Sequence, residues 1–259
     1  MKSLAVRTDI MLKTSLFVPR NGGIDQTWCF FSSAWDDRRR EECAAWLIRE
    51  KMDTMVFLLD DNDPNNPVSF WKKGIYCGEP DLARVDMLLR WCRLASENGW
   101  NLIPTLFCDE DKNAGMRAQW NKHADYLFQA AAVLNPFVKG WLIGLESSEY
   151  FNAHQVDQLV AALRPFTPHP IGTHMQWDLK KESLPTAIDF MAYEHPWHPK
   201  DGDAQSAQAV ADQGRRVIEA FRKPVWFLEY NYNPSAGRVR EQTRALMQLP
   251  GCVGIGGPF

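Results

Sequence analysis

The chain has 259 residues, 45% hydrophobic and 24% charged, with a formal net charge of −3. This is the composition of an ordinary soluble globular protein with a large core. It excludes the basic electrostatic footprint of a nucleic-acid binder, since Lys and Arg form no long tract.

The densest basic cluster, Arg38-Arg39-Arg40, runs directly into Glu41-Glu42. Mixed charge of this kind marks a solvated helix start. The six cysteines show neither CxxC nor Cys/His metal spacing, which predicts buried free thiols in a reducing compartment. The apolar residues of the first 18 positions are interrupted by Arg7, Asp9 and Lys13, the pattern of neither a signal peptide nor a membrane span. The expectation is cytoplasmic synthesis, with release by another route, such as phage lysis, left open. Oligomeric state is not legible.

In chain order, residues 1–26 read as an irregular N-terminal extension packed on the body, with Pro19 and an Asn21-Gly22-Gly23 turn. Trp28-Cys-Phe-Phe31 reads as a first strand, followed by a helix over 38–51. An apolar strand over 54–59 runs into Asp60 and Asp61. After an Asn-, Pro- and Gly-rich insertion over 64–80, the spacing predicts a long helix over 81–98, stopped by Gly99. The unit then repeats. Strands are predicted at 100–108, 140–145, 170–175, 187–192, 225–228 and 252–256, with helices ending at 134 and spanning 153–163, 204–221 and 238–249.

Continuous apolar strands alternating with helices imply a parallel sheet covered on both faces. Eight such repeats over 27–259 predict an α/β fold, a single-domain (β/α)8 TIM barrel, in which the final helix is missing because the chain stops just after strand eight. The first strand is not followed by a GxGxxG turn, which weighs against a dinucleotide fold. No cofactor is called for.

In such a barrel the site lies at the C-terminal ends of the strands. Those ends carry Trp35, Asp60, Asp109, Glu146, His174, Trp177, Tyr193, His195, Trp197, Glu229, Tyr230 and Tyr232. Aspartates also cap the helices that follow strands, so Asp60 and Asp109 have a structural reading beside the functional one. Glu146 and Glu229 are harder to read as caps, because each directly ends an apolar strand, where an unpaired acid is costly.

The motifs Trp141-Leu-Ile-Gly-Leu-Glu146 and Pro224-Val-Trp-Phe-Leu-Glu229 resemble the strand-four and strand-seven motifs of the clan A glycoside hydrolases, the barrel group that includes the family 5 cellulases and mannanases. Tyr193-Glu-His-Pro-Trp197 is similar to the strand-six segment of that group. The resemblance implies a retaining hydrolase of β-linked carbohydrate, with Glu146 as general acid/base and Glu229 as nucleophile. It further implies that Tyr193, Tyr230 or Tyr232 orients Glu229, and that His174 or His195 contacts substrate or the acid/base. Trp35, Trp177 and Trp197 are then the candidate sugar platforms, since the chain's 11 tryptophans supply flat apolar faces as well as core area.

The chain departs from the group at two places. Leu145 stands where the group carries Asn, the residue that bonds a sugar 2-hydroxyl, and strand eight ends in Gly256-Gly257 with no evident tryptophan platform. Other readings stay open: Glu149 as the acid, a catalytically silent carbohydrate-binding barrel, or a metal-dependent hydrolase using Asp109, His174, His195 and His198.

Overall fold

The structure, a computed structural model, describes residues 15–17, 54–59, 80–107, 120–175, 184–194, 206–228 and 236–257. The strands are β1 (Ser15–Phe17), β2 (Thr54–Leu58), β3 (Asn101–Phe107), β4 (Trp141–Gly144), β5 (Ile171–Met175), β6 (Phe190–Glu194), β7 (Val225–Leu228) and β8 (Cys252–Gly257). Each pairs in parallel with its neighbour in sequence, and β1 pairs with β8, so the sheet curls into a closed ring in chain order. Helices α1 (Leu82–Glu97), α2 (His123–Leu134), α3 (Ala153–Leu163), α4 (Ala207–Phe221) and α5 (Ala236–Met247) flank the ring. The architecture is that of an incomplete (β/α)8 barrel.

The expected first strand is corrected. The strand between β8 and β2 is Ser15–Phe17, inside the segment read as an extension, and not Trp28–Phe31, which lies outside the described residues. The count survives the change: Trp141–Gly144 is still fourth in the ring and Val225–Leu228 seventh.

The helices start where the sequence supplies caps. Asp81 accepts from the amides of Ala83 and Arg84 at 3.1 and 3.4 Å and starts α1. Asn152 and Gln155 form a reciprocal capping box at the start of α3, with bonds of 2.9 and 3.0 Å. Each satisfies amides that the helix itself leaves unpaired. Behind the caps the helices bury one stripe, Leu88, Cys92 and Ala95 on α1 and Val156, Leu159, Val160 and Leu163 on α3. Both described cysteines are free thiols, and burial pushes Cys92 up to about 12 and Cys252 up to about 11. Such thiols are unreactive at neutral pH.

Which strand residues face the barrel interior follows from the contacts of their neighbours. Tyr193 on β6 packs edge-on against Phe221 of α4 at 5.7 Å, so its ring faces the helix layer. Phe227 on β7 likewise faces α4, where a Cβ on Gly214 would come within 3.3 Å of its ring. Successive strand residues point to opposite faces, so Ala192 and Trp226 face inward. The register sets His174, Ala192, Trp226 and Gly254 side by side across β5, β6, β7 and β8, and this belt puts His174 on the interior face as well.

Among the described residues, no helix is long and apolar enough to cross a membrane.

Candidate functional site

The chain leaves β4 through a tight turn that carries Glu146. Gly144 is required there: a Cβ at that position would stand 2.5 Å from the Tyr150 hydroxyl and 3.2 Å from the Ser147 Cβ. Tyr150 folds back over the turn and donates its hydroxyl to the Leu145 carbonyl at 2.6 Å, with the Phe107 carbonyl at 3.2 Å. A single 3-10 turn, Ser147–Glu149, follows, and then the Asn152 cap of α3.

Glu146 adopts the left-handed conformation, φ 44° and ψ 42°. For a non-glycine residue this costs about 1–2 kcal/mol. A conformation of that kind persists only when its surroundings over-determine it, and such residues cluster at functional sites.

The surroundings here come largely from β5. The Glu146 amide donates to Nδ1 of His174 at 3.0 Å. The Thr173 hydroxyl donates to the Ser147 hydroxyl at 2.7 Å, which in turn donates to the His174 carbonyl at 2.8 Å. The turn is thus fastened to β5 by one backbone donor and one side-chain relay.

His174 is fully buried, at 0% exposure. Burial pulls its pKa down to about 3, so the ring is neutral at ordinary pH. Because Nδ1 accepts, the proton sits on Nε2, which has no hydrogen-bond partner among the described residues.

A second buried histidine, His123 at the start of α2, was not singled out by the sequence. It lies among Phe107 at 4.9 Å, Trp120 at 5.0 Å and Phe151 at 6.2 Å. Burial lowers its pKa to about 4. The only signal for it was its place one residue inside an apolar helix start. Trp120 takes part in this aromatic cluster, packing against His123 and Phe151.

Beside the turn lies a cavity of about 410 Å³, lined by Ser148, Glu149, Asn152, Val156, Met175 and Pro185 among others. Its size is that of a small-molecule site. It flanks the barrel between the turn, the start of α3 and the end of β5. Glu149, the alternative acid, is exposed and lines it, whereas Glu146 does not.

Of the residues expected at the site, the structure brings Glu146 and His174 together through a backbone contact. Tyr193 does not join them; it is 1% exposed, with its ring between Phe221 and Phe227. Glu229, Trp35, Asp60, Asp109, Trp177, His195, Trp197, Tyr230 and Tyr232 lie outside the described residues. Leu145 is 5% exposed and belongs to the hydrophobic core, so this position offers an apolar side chain to the protein and not a polar one to a ligand. Among the described residues, no group of three or more His, Cys, Asp or Glu is placed to hold a metal ion.

No protein-family model matches the chain. No curated protein matches it in sequence. Solved structures match its fold. One is a Bacteroides vulgatus ATCC 8482 protein provisionally classed as a glycoside hydrolase, with 15% identity and a TM-score of 0.65 over 89% of this chain. This chain spans half the length of that protein, 50%. The GH5_18 structure from Streptomyces cattleya, in complex with GlcNAc, gives 12% identity and a TM-score of 0.69 over 95% of this chain and 70% of that one. A GH113 β-1,4-mannanase gives 12% identity and a TM-score of 0.64 over 95% and 87%. At such identities the likeness is one of fold.

Proposed function

We propose that the protein is a retaining glycoside hydrolase acting on a β-linked oligo- or polysaccharide, with Glu146 as general acid/base and Glu229 as nucleophile. The observation that carries the reading is the ring order: Glu146 follows the fourth strand, and in sequence Glu229 directly follows the seventh. The left-handed backbone of Glu146 adds to it, as does the fold's likeness to solved structures of glycoside hydrolase families 5 and 113.

In this mechanism Glu146 gives its proton to the glycosidic oxygen while the Glu229 carboxylate attacks the anomeric carbon, breaking the bond to the leaving group. Glu146, now ionised, takes a proton from water, which attacks the anomeric carbon and releases Glu229. Two carboxylates ~5–5.5 Å apart do this work in retaining enzymes. With Leu145 packed in the core, recognition of the sugar 2-hydroxyl falls to other groups.

The test is turnover of aryl β-glycosides and β-mannan or β-glucan by the parent, Glu146→Gln and Glu229→Gln. Each substitution is expected to lower kcat/KM by ~10²-fold or more. In azide, Glu146→Ala should yield the β-glycosyl azide and Glu229→Gly the α-glycosyl azide. Parental activity in both variants would sink the assignment. Sugar binding by the parent without turnover would favour a catalytically silent carbohydrate-binding barrel, the reading that the apolar Leu145 supports.

A further inference from the structure

Glu146 and His174 are 28 residues apart in sequence but adjacent across β4 and β5. The contact between them runs through the Glu146 backbone, not its carboxylate. We propose that His174 is a positioning residue: its unprotonated Nδ1 holds the Glu146 amide and so maintains the left-handed backbone that sets the direction of the Glu146 carboxylate. This rests on the reading of Glu146 as the acid/base, and it replaces the expectation that His174 touches substrate.

Four observations support it. The ring is fully buried, so it faces protein groups and not solvent. Among the described residues its other nitrogen, Nε2, has no hydrogen-bond partner, and the bond from Glu146 is the one hydrogen bond that orients the imidazole. The ring stands in the inward belt, with Ala192 as the register partner of His174 on β6. The residue whose amide it accepts is one of two non-glycine residues with positive φ among those described; the other, Arg222, is a helix C-cap, where such a backbone is common.

A neutral imidazole suits the task. An acceptor is needed opposite the amide, and burial lowers the pKa of His174 to about 3, so Nδ1 stays unprotonated through the working range of a glycosidase. Thr173 and Ser147 then hold the next residue of the turn, so the helical turn after Glu146 cannot follow if the acid's backbone flips.

The experiment compares His174→Leu, which removes the acceptor, with His174→Asn, whose amide oxygen can take the place of Nδ1. Crystal structures of both report φ at residue 146. Kinetics use two aryl β-glycosides of one sugar, with a phenol leaving group that needs protonation and a 2,4-dinitrophenol one that does not. The Leu variant is expected to lose the positive φ and ~10–100-fold of kcat/KM on the phenyl glycoside, while the dinitrophenyl value stays within a few-fold of the parent. The Asn variant should keep both properties.

A positive φ retained in the Leu variant overturns the proposal, as does an equal loss on both substrates. A parent that hydrolyses neither glycoside defeats the acid/base reading instead, and φ in the two variants still decides the positioning role. Should the Leu variant not fold, the parent alone is decisive: its His174 nitrogen resonances must report an unprotonated Nδ1 from pH 8 to pH 5, and a proton on Nδ1 overturns the proposal.

Discussion

Gly172 on β5 lies directly against the ring of Phe190 on β6: a Cβ at position 172 would stand 2.6 Å from two of the ring carbons. The two residues are register partners, so neither strand can slide to relieve the contact. Gly140 on the other side leaves similar room, with Phe190 at 3.9 Å and Ile103 at 3.1 Å. The interior below the site is thus shaped by a large ring seated among glycines. Gly172→Ala is expected to destabilise the fold by about 1–3 kcal/mol through overpacking. Thermal unfolding followed by circular dichroism checks this, and Gly172→Ala combined with Phe190→Leu should recover part of the loss.

Glu146→Gly separates stability from activity. Glycine reaches positive φ without the Cβ penalty, so the variant should be more stable than the parent by about 1 kcal/mol. It should also lose activity, because the carboxylate is gone. Urea unfolding and turnover of an aryl glycoside, measured on the same preparation, test both halves.

The two buried histidines predict acid lability. Each has a folded pKa below its ordinary 6.5, about 3 for His174 and about 4 for His123. In the unfolded chain both take up protons below 6.5, while in the folded chain they stay neutral. The unfolded state therefore binds more protons in this window, and stability is full above pH 6.5 and falls as pH drops toward 4. Two such groups give a slope of up to about 2.7 kcal/mol per pH unit. Urea titrations from pH 7.5 to pH 4.5 check it, and His123→Phe should reduce the slope by about half.

Asn152→Ala removes the acceptor side of the capping box that starts α3. The expected cost is about 1 kcal/mol. Asn152 also lines the cavity beside Glu149, so titration of small sugars by calorimetry shows whether that cavity takes part in binding.

Seven of the strands were legible because each is a short apolar run bounded by turn residues, and α3 at Ala153–Leu163 falls where its spacing put it. β1 was not legible. Ser15-Leu-Phe17 is three residues, preceded by Lys13-Thr14 and stopped soon after by Pro19, whereas Trp28-Cys-Phe-Phe31 is a stronger run that competes for the assignment. At the site, Glu146 could be seen because an acid ending an apolar strand is anomalous. The direction of Tyr193 could not, since both faces of a parallel strand are apolar and the alternation carries no mark of inside and outside. Nor could the bond from Glu146 to His174, which depends on the lateral fit of two strands and on which ring nitrogen accepts.

The seam of the ring has a kinetic meaning. Every strand from β2 to β8 adds to its immediate predecessor across one connection, but β1 meets β8 from the far end of the described chain, pairing Ser15 with Gly256 and Leu16 with Gly257. That junction joins the most distant parts of the ring and carries the largest loop-closure entropy. Assembly can therefore proceed as an open, growing sheet, and closure at the seam is the step that turns it into a barrel. Under native conditions the same junction is expected to open first, so its amides should exchange with solvent ahead of those in β3 to β7, which hydrogen-exchange measurements check.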